Sequence, residues 1–185
     1  LPEIASAWRK DWADALMDLT LAEHNQLGQV IFVASDSNIA VQVKLPYMKF
    51  GTDAAGYDPD STKFAVHPRS YGTYPKILGR YVRDYKWLTL EDAVRKMTGL
   101  PARRFGLEGR GQVRRGAHAD LVLFDPARVL DAATFERPQQ AAVGIDAVWV
   151  NGVASYRNGE PTGERAGCFV ARGARAPEDD APQAF

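Results

Sequence analysis

One carboxylate at the end of an apolar run is the first candidate for chemistry in this sequence. Residues Tyr47 to Phe50 form the run, which breaks at Gly51 into small residues around Asp53. A strand that ends there would present the acid at its C-terminal end, the edge at which parallel α/β sheets and barrels build their sites. Asp53 is therefore a candidate acid or base, and the alternative is a carboxylate that caps a turn.

A second candidate group follows a long stretch without hydrophobic periodicity. His67 and Arg69 stand at the end of this stretch, and His67 would lie on the same side as Asp53 if the stretch folds back as a loop. A guanidinium can hold a carboxylate in a bidentate fork that lysine cannot reproduce. Arg69 is thus a candidate anion-binding residue, and the alternative is a surface ion pair with Asp58 or Asp60.

A hydrolytic metal site would give Asp53 a catalytic role, because such a site needs a carboxylate that holds a water molecule and moves its proton. The sequence does not contain an obvious set of metal ligands. The three histidines, His24, His67 and His118, lie far apart and form no His-x-His or His-x-x-x-His pair. We expect that this chain cannot assemble a metal site alone.

The composition places the chain among ordinary globular proteins and excludes several classes of function. It has 185 residues, of which 45% are hydrophobic and 25% charged, and its 23 basic residues balance 23 acidic ones. No global field therefore attracts nucleic acid or an anionic membrane. A Walker lysine loop, a Gly-x-Ser-x-Gly motif and zinc-finger spacing are also missing from the sequence.

The sequence favours a soluble, cytoplasmic protein. Its one cysteine, Cys168, excludes an internal disulfide framework and suits a reducing compartment. No apolar run approaches the roughly 20 residues of a membrane span, and the first residues do not form a secretory signal. The chain begins with Leu1 and Pro2 rather than methionine, which predicts a piece of a longer protein.

The first half of the chain alternates between helical and extended patterns. Apolar residues at helical spacing predict a helix over 8–28, and an apolar run predicts a buried strand over 29–34. A helix over 38–44 and a strand over 47–51 follow. The order α, β, α, β predicts parallel strands with crossover helices.

Two further helices are predicted before the pattern changes. The aromatic stripe Tyr71, Tyr74, Leu78, Tyr81 and Tyr85 indicates the first, with Thr73 as its cap and Pro75 in its first turn. Thr89 opens the second helix, and Gly99 and Pro101 are its stop signals.

The last third of the sequence predicts a small β-rich module. Residues 119–126 and 145–153 have the composition of strands, and the second strand turns at Asn151-Gly152. From Gly173 onwards the residues are mostly Ala, Pro, Glu and Asp, which predicts a disordered tail.

Several motifs taken together resemble one family in order and over nearly the whole chain. The resemblance is to the C-terminal part of the N-acyl-D-amino-acid deacylases, or D-aminoacylases, of the amidohydrolase superfamily. The motifs are Gly51-Thr52-Asp53, His67-Pro68-Arg69, Tyr71-Gly72-Thr73-Tyr74-Pro75, Lys96-Met97-Thr98-Gly99-Leu100-Pro101-Ala102, Gly116-Ala117-His118-Ala119-Asp120-Leu121-Val122-Leu123-Phe124-Asp125-Pro126 and Val150-Asn151-Gly152.

This resemblance implies an α/β fold, namely the C-terminal part of a zinc-dependent (β/α)8 TIM barrel with a small β-sandwich built from both chain ends. Residues 1–106 would be the final barrel units and terminal helices, 107–172 the sandwich domain, and 173–185 the tail. Most zinc ligands would come from the missing N-terminal part of the same enzyme, which is then a partner of this chain. Cys168 lies in the β-rich end and is not expected to be a ligand.

The resemblance also implies roles for the candidate residues. Asp53 would end the last barrel strand as the acid/base that activates metal-bound water, and as a weak ligand of a second metal. Arg69 would hold the α-carboxylate of a small N-acyl-D-amino acid, and His67 would line the pocket. An Asp53 side chain in bulk solvent, or antiparallel neighbouring strands with no cavity above them, would argue against the hydrolase interpretation.

Two alternatives remain open at this point. One keeps the superfamily but takes a cyclic amide, as dihydroorotases and hydantoinases do. The other is an inactive C-terminal fragment that only assembles with the missing N-terminal part. The loop over 54–66 looks longer than in the better-known D-aminoacylases, so the resemblance does not fix the preferred acyl group or side chain.

Overall fold

The computed structural model describes residues 1–28, 33–64 and 66–171, with helices first and a small sheet last. The chain divides into two units, Leu1–Asp36 and Ser37–Phe185. The helices are α1 (Pro2–Trp8), α2 (Trp12–Ala22), α3 (Asp36–Gln42), α4 (Arg69–Lys76), a π-helix (Ile77–Asp84), α5 (Leu90–Met97) and α6 (Gly99–Phe105). The strands are β1 (Leu121–Phe124), β2 (Ile145–Val150), β3 (Val153–Arg157) and β4 (Glu160–Pro161).

The single helix predicted over 8–28 is wrong in both its start and its length. Arg9 adopts a left-handed conformation with φ of 53° that ends α1, and Asp11 then caps α2 by accepting the N–H of Ala13 at 2.9 Å. Aspartate is a strong N-cap residue, so a new helix starts there. Residues 29–32 of the predicted strand over 29–34 lie outside the described residues.

The strand predicted over 47–51 is also wrong. Helix α3 forms within two residues of its prediction, but the segment after it has no strand hydrogen bonds in the described chain. A strand needs a neighbouring strand to pair with, and the strands that the structure describes all follow residue 120 and pair with one another. They pair antiparallel, so the described residues do not contain the parallel arrangement that we expected.

The predicted aromatic helix exists, but it starts earlier than expected. Helix α4 begins at Arg69, so Thr73 is not a cap and donates its hydroxyl to the Arg69 carbonyl at 2.8 Å. Pro75 consequently lies inside the helix, where it has no N–H to donate. The π-helix follows directly, as wider turns often do where the regular hydrogen-bond ladder is interrupted.

Local signals place the next two helices. Thr89 caps α5 as predicted, because its hydroxyl accepts the N–H of Asp92 at 3.2 Å. Helix α5 ends at Met97, just before the predicted stop signals Gly99 and Pro101. Helical structure nevertheless continues, since α6 starts at Gly99 and proline is tolerated in a first turn. Gly106, with φ of 65°, then ends α6 in the left-handed conformation.

The β-rich module is a four-stranded antiparallel sheet in the order β1, β2, β3, β4. The predicted strands are confirmed, and the turn between β2 and β3 has positive φ at both Asn151 and Gly152, as a type I′ turn requires. A second such turn at Asn158 and Gly159 joins β3 to β4. The sequence carries the same Asn-Gly signal there, although we did not predict this hairpin.

A hydrophobic core holds the segment that leads to Asp53. Its buried residues are Val43, Ile77, Leu88 and Ala93, and the partly buried Phe50 packs against them. Phe50 stands three positions before Asp53, so burial of its ring fixes the backbone next to the candidate acid.

The segment after β1 runs along the helices because two glycines leave room for it. A Cβ atom at Gly79 would lie 2.6 Å from the Val129 carbonyl oxygen, and one at Gly72 would lie 3.1 Å from the Asp131 Cβ atom. Arg83 of the π-helix also donates to the Val129 carbonyl at 2.8 Å. The domain division predicted at residue 106 stays a prediction.

Candidate active site

The long loop after Asp53 is held by contacts of its own. At its centre, Asp58 accepts hydrogen bonds from the N–H of Asp60 and the hydroxyl of Ser61, both at 3.0 Å. Tyr71 of α4 donates its hydroxyl to the carbonyl of Tyr57 at 2.9 Å. These contacts return the chain to the start of α4.

Folding of this loop brings two of the candidate residues into contact. Arg69 Nη2 lies 3.1 Å from Asp53 Oδ2. The alternative pairing of Arg69 with Asp58 or Asp60 is wrong, because Arg69 pairs with Asp53 instead. The side chains of Asp53 and Arg69 are 89% and 43% exposed, so water reaches both.

The backbone of Asp53 is left-handed, with φ of 47°. Thr52 supports the turn, because its hydroxyl oxygen accepts the N–H of Ala54 at 3.3 Å. Aspartate tolerates this conformation better than most residues do. Positive φ values outside glycine concentrate at turns and functional sites, so the conformation is compatible with either interpretation of Asp53.

His67 is held in one tautomer. Its Nδ1 atom accepts the N–H of Arg69 at 3.0 Å, and its ring packs edge-on against Phe135 with centroids 5.1 Å apart. Partial burial and the Arg69 charge lower the pKa of His67, although the Asp53 carboxylate opposes this shift. The neutral ring therefore keeps its proton on Nε2 and offers a hydrogen-bond donor there.

A cavity of about 440 Å³ brings the anion-binding candidate and the histidine together, a volume typical of small-molecule sites. Its lining includes Gly51, His67 and Arg69, together with the lysines Lys49 and Lys76. These three cationic side chains outnumber the one carboxylate of the lining, Asp131, and the positive surplus favours an anionic ligand such as a carboxylate.

One wall of this cavity comes from the irregular segment between β1 and β2, which includes Thr134 and Phe135. Sequence reasoning missed Phe135. The residue follows no periodic pattern, and its contact with His67 spans more than sixty positions of the chain. No local signal could have identified it.

The described residues do not fit a zinc site by themselves. Across 1–28, 33–64 and 66–171, no three His, Cys, Asp or Glu side chains come together as metal ligands would. His118, for example, follows a turn, and its backbone N–H donates to the Gly109 carbonyl at 2.9 Å. Within the same ranges, no helix has the length and apolar composition needed to cross a membrane.

Comparison with known proteins assigns the family. The model of the Amidohydrolase family matches residues 50–156, which include Asp53, His67 and Arg69. The chain belongs to the amidohydrolase family. The match also covers the sheet through most of β3, so helices and sheet both belong to the family pattern.

The similar proteins include deacylases of D-amino acids. The chain is 41% identical over 172 residues to a D-aminoacylase of Alcaligenes xylosoxydans xylosoxydans, covering 93% of this chain and 34% of the relative. A D-aminoacylase crystal structure matches with a TM-score of 0.80 and 40% identity, over 93% of this chain and 34% of that one.

A third similar protein has a structure that contains a metal and an inhibitor. The N-acyl-D-glutamate deacylase of Bordetella bronchiseptica, complexed with zinc and a phosphonate mimic of the tetrahedral intermediate, matches with a TM-score of 0.78. It is 37% identical, and the match covers 93% of this chain and 34% of that one. The chain therefore spans about a third of the length of these relatives.

These findings confirm the resemblance that the motifs indicated, and with it the amidohydrolase-family fold at the level of this fragment. The barrel and the sandwich stay predictions. The exposure of the Asp53 side chain argues against a catalytic role. Its contact with Arg69 and its position within the family match argue in favour of one. The exposure belongs to a chain about a third as long as its relatives. The role of Asp53 is therefore a proposal.

Proposed function

We propose that the protein containing this chain is an amide hydrolase that removes the acyl group from N-acyl-D-amino acids. The observation that carries the proposal is the contact between Asp53 and Arg69 beside one cavity. A carboxylate that can move a proton then stands next to a guanidinium that can hold a carboxylate. Similarity to D-aminoacylases supports the same substrate class.

Arg69 would bind the α-carboxylate of the substrate. Its guanidinium pairs with Asp53 through one nitrogen, and water reaches both side chains, so the pair can open at little cost. A bidentate carboxylate is a better partner for a guanidinium than a single oxygen contact. Substrate binding would therefore exchange the partner of Arg69 and release the Asp53 carboxylate.

Asp53, once released, would act as the acid/base of the reaction. Hydrolysis of an amide requires that a proton leave the attacking water and that a proton reach the departing nitrogen. One carboxylate can do both in turn, first accepting and then donating. His67, neutral and with its Nε2 proton available, would donate a hydrogen bond from the wall of the cavity.

We further propose zinc as the cofactor of the complete protein, because the similar N-acyl-D-glutamate deacylase is complexed with it. Its main ligands would come from polypeptide outside this chain, and Asp53 remains a candidate ligand for a second metal. The similar proteins do not indicate which amino-acid side chain the substrate carries, since relatives named for different substrates are almost equally similar. The cytoplasmic location stays a prediction.

The proposal is tested by assaying the complete protein with N-acetyl-D-amino acids, with the L-enantiomers as matched controls and with hydantoins. We expect release of the free D-amino acid and at least about a hundredfold preference over the L-form, since the site must orient a chiral centre. Opening of hydantoins without deacylation would instead support the cyclic-amide alternative. A correctly folded, metal-loaded protein that turns over neither class would reject hydrolysis.

A further inference from the structure

Lys96 is a fully buried charge that the proposed chemistry does not use. Its side chain on α5 is 0% exposed, and its ammonium lies 2.8 Å from Asp92 Oδ2 and donates to the carbonyl of Val43. An ammonium removed from water is tolerated only when it is paired and hydrogen-bonded. Both partners are therefore needed for Lys96 to stay where it is.

Arg95 extends this contact to a second carbonyl. Its Nε and Nη2 atoms lie 3.1 and 2.8 Å from Asp92 Oδ1, and Nη2 also donates to the carbonyl of Pro46 at 2.9 Å. Asp92 thus uses one oxygen for each cation. We call Asp92, Arg95 and Lys96 the α5 clamp, because together they hold two carbonyls of one backbone segment.

The clamped carbonyls belong to the segment that leads to Asp53. Val43 follows the last residue of α3, where helical carbonyls have no partner within the helix and need a donor from elsewhere. Phe50 then packs into the core beside Val43 and Ala93. The segment over 43–50 is therefore fixed at Val43, at Pro46 and at Phe50.

Asp53 has little of its own to hold it in place. Beyond Phe50, a Cβ atom at Gly51 would meet no other atom within 4 Å, and the ion pair with Arg69 is open to water. The position of the carboxylate thus depends on the backbone that delivers it. We infer that Lys96, acting with Asp92 and Arg95, is a positioning residue that fixes where Asp53 stands relative to Arg69.

This inference rests on the proposed function for its kinetic consequence. A displacement of about 1 Å at a reacting group can cost about a hundredfold in rate even when the mutated residue is remote from the chemistry. Loss of the clamp should therefore lower kcat. KM should change little, because Arg69, the proposed carboxylate-binding residue, stands on α4 and not in the segment that the clamp holds.

The test compares Lys96→Met with Arg83→Met in the complete protein. Arg83 is a matched control, because it also donates from a helix to backbone carbonyls, those of Val129 at 2.8 Å and Pro126 at 3.4 Å, but outside the clamped segment. Hydrogen exchange is measured on peptides that cover residues 43–53, and kcat and KM are measured for both variants.

For Lys96→Met we expect amide exchange over 43–53 to rise about tenfold or more and kcat to fall about ten- to a hundredfold, with KM within about twofold. Arg83→Met should leave exchange in these peptides and kcat unchanged. Unchanged exchange over 43–53 in Lys96→Met, or the same changes in both variants, would overturn the inference.

A second variant, Arg95→Met, tests the inference if Lys96→Met does not fold. Arg95→Met removes the donor to Pro46 from a side chain that is 42% exposed, so it should fold and show the same changes at smaller size. If the parent protein has no deacylase activity, the proposed function fails. The exchange of peptides over 43–53 then still decides whether the clamp holds the segment that carries Asp53.

Discussion

Two carboxylate–cation pairs of this protein have similar distances but different surroundings. Asp53 and Arg69 are 3.1 Å apart with side chains 89% and 43% exposed, whereas Asp92 and Lys96 are 2.8 Å apart at 32% and 0%. Water and ligands can replace a partner in the first pair, and an exposed pair contributes at most about 1 kcal/mol to stability. In the second pair water reaches the Asp92 carboxylate but not the Lys96 ammonium.

The difference indicates that a carboxylate–cation pair can either hold structure or bind a ligand, depending on its burial. A buried ion pair is costly to break because the remaining charge stays away from water without an opposite charge beside it. Such a pair can hold a segment but cannot take part in exchange with a substrate. The exposed pair is poor at holding structure, and for the same reason it is suited to binding and releasing a ligand.

The largest effect on the exposed pair is expected for Asp53→Asn. The amide has the same shape but cannot accept and return a proton, so kcat for the N-acyl-D-amino acid should fall about a thousandfold. The melting temperature should stay within a degree or two, because the lost pair is exposed. Steady-state kinetics and a thermal melt of the complete protein give both values, and unchanged turnover would remove Asp53 from the mechanism.

Breaking the buried pair should lower the unfolding free energy of the protein. Asp92→Ala leaves the ammonium of Lys96 inside the protein without a carboxylate, which should cost about 3 kcal/mol of unfolding free energy. The control is Asp18→Ala, which breaks the exposed pair with Lys10 and should cost much less, because water screens that pair. Denaturant unfolding measures both, and equal losses would mean that burial does not separate the two kinds of pair.

Arg69→Ala should act on binding more than on chemistry. We expect KM for substrates with a free α-carboxylate to rise about a hundredfold while kcat changes little, as loss of uniform binding predicts. N-acyl-D-amino acid amides lack that carboxylate and serve as the control substrates. A KM that rises equally for the amides would contradict the assignment of Arg69.

The smallest expected effect is the pH dependence of the stability that the buried pair contributes. Burial acts to raise the pKa of the Asp92 carboxyl, but hydrogen bonds from Lys96 and Arg95 outweigh it, so the pKa lies below its ordinary 3.8. Because the folded-state pKa is the lower one, this stabilisation is present above the unfolded-state pKa and is lost as pH falls through the folded-state value. Between about pH 5 and pH 3, wild type should therefore lose more stability than Asp92→Asn. Parallel melting curves for the two proteins would contradict the shift.

Much of the local structure was predictable because its causes lie within a few residues. Thr89 caps α5 through a neighbour three positions away, and Asn151-Gly152 forms a tight turn by its own backbone preferences. The strand over 47–51 was not predictable in the same way, since a strand depends on a partner from elsewhere in the chain. The break at Arg9 was missed because the apolar spacing continues across it.

The sequence by itself determined which residue types are available for chemistry, Asp53, His67 and Arg69, and which family their motifs indicate. Tertiary structure alone decided that Arg69 pairs with Asp53, that Phe135 packs on His67 and that Lys96 is buried. The physical reason is that residue type sets what a side chain can do, whereas the path of the backbone sets its neighbours and its access to water. Those depend on contacts between residues far apart in the chain.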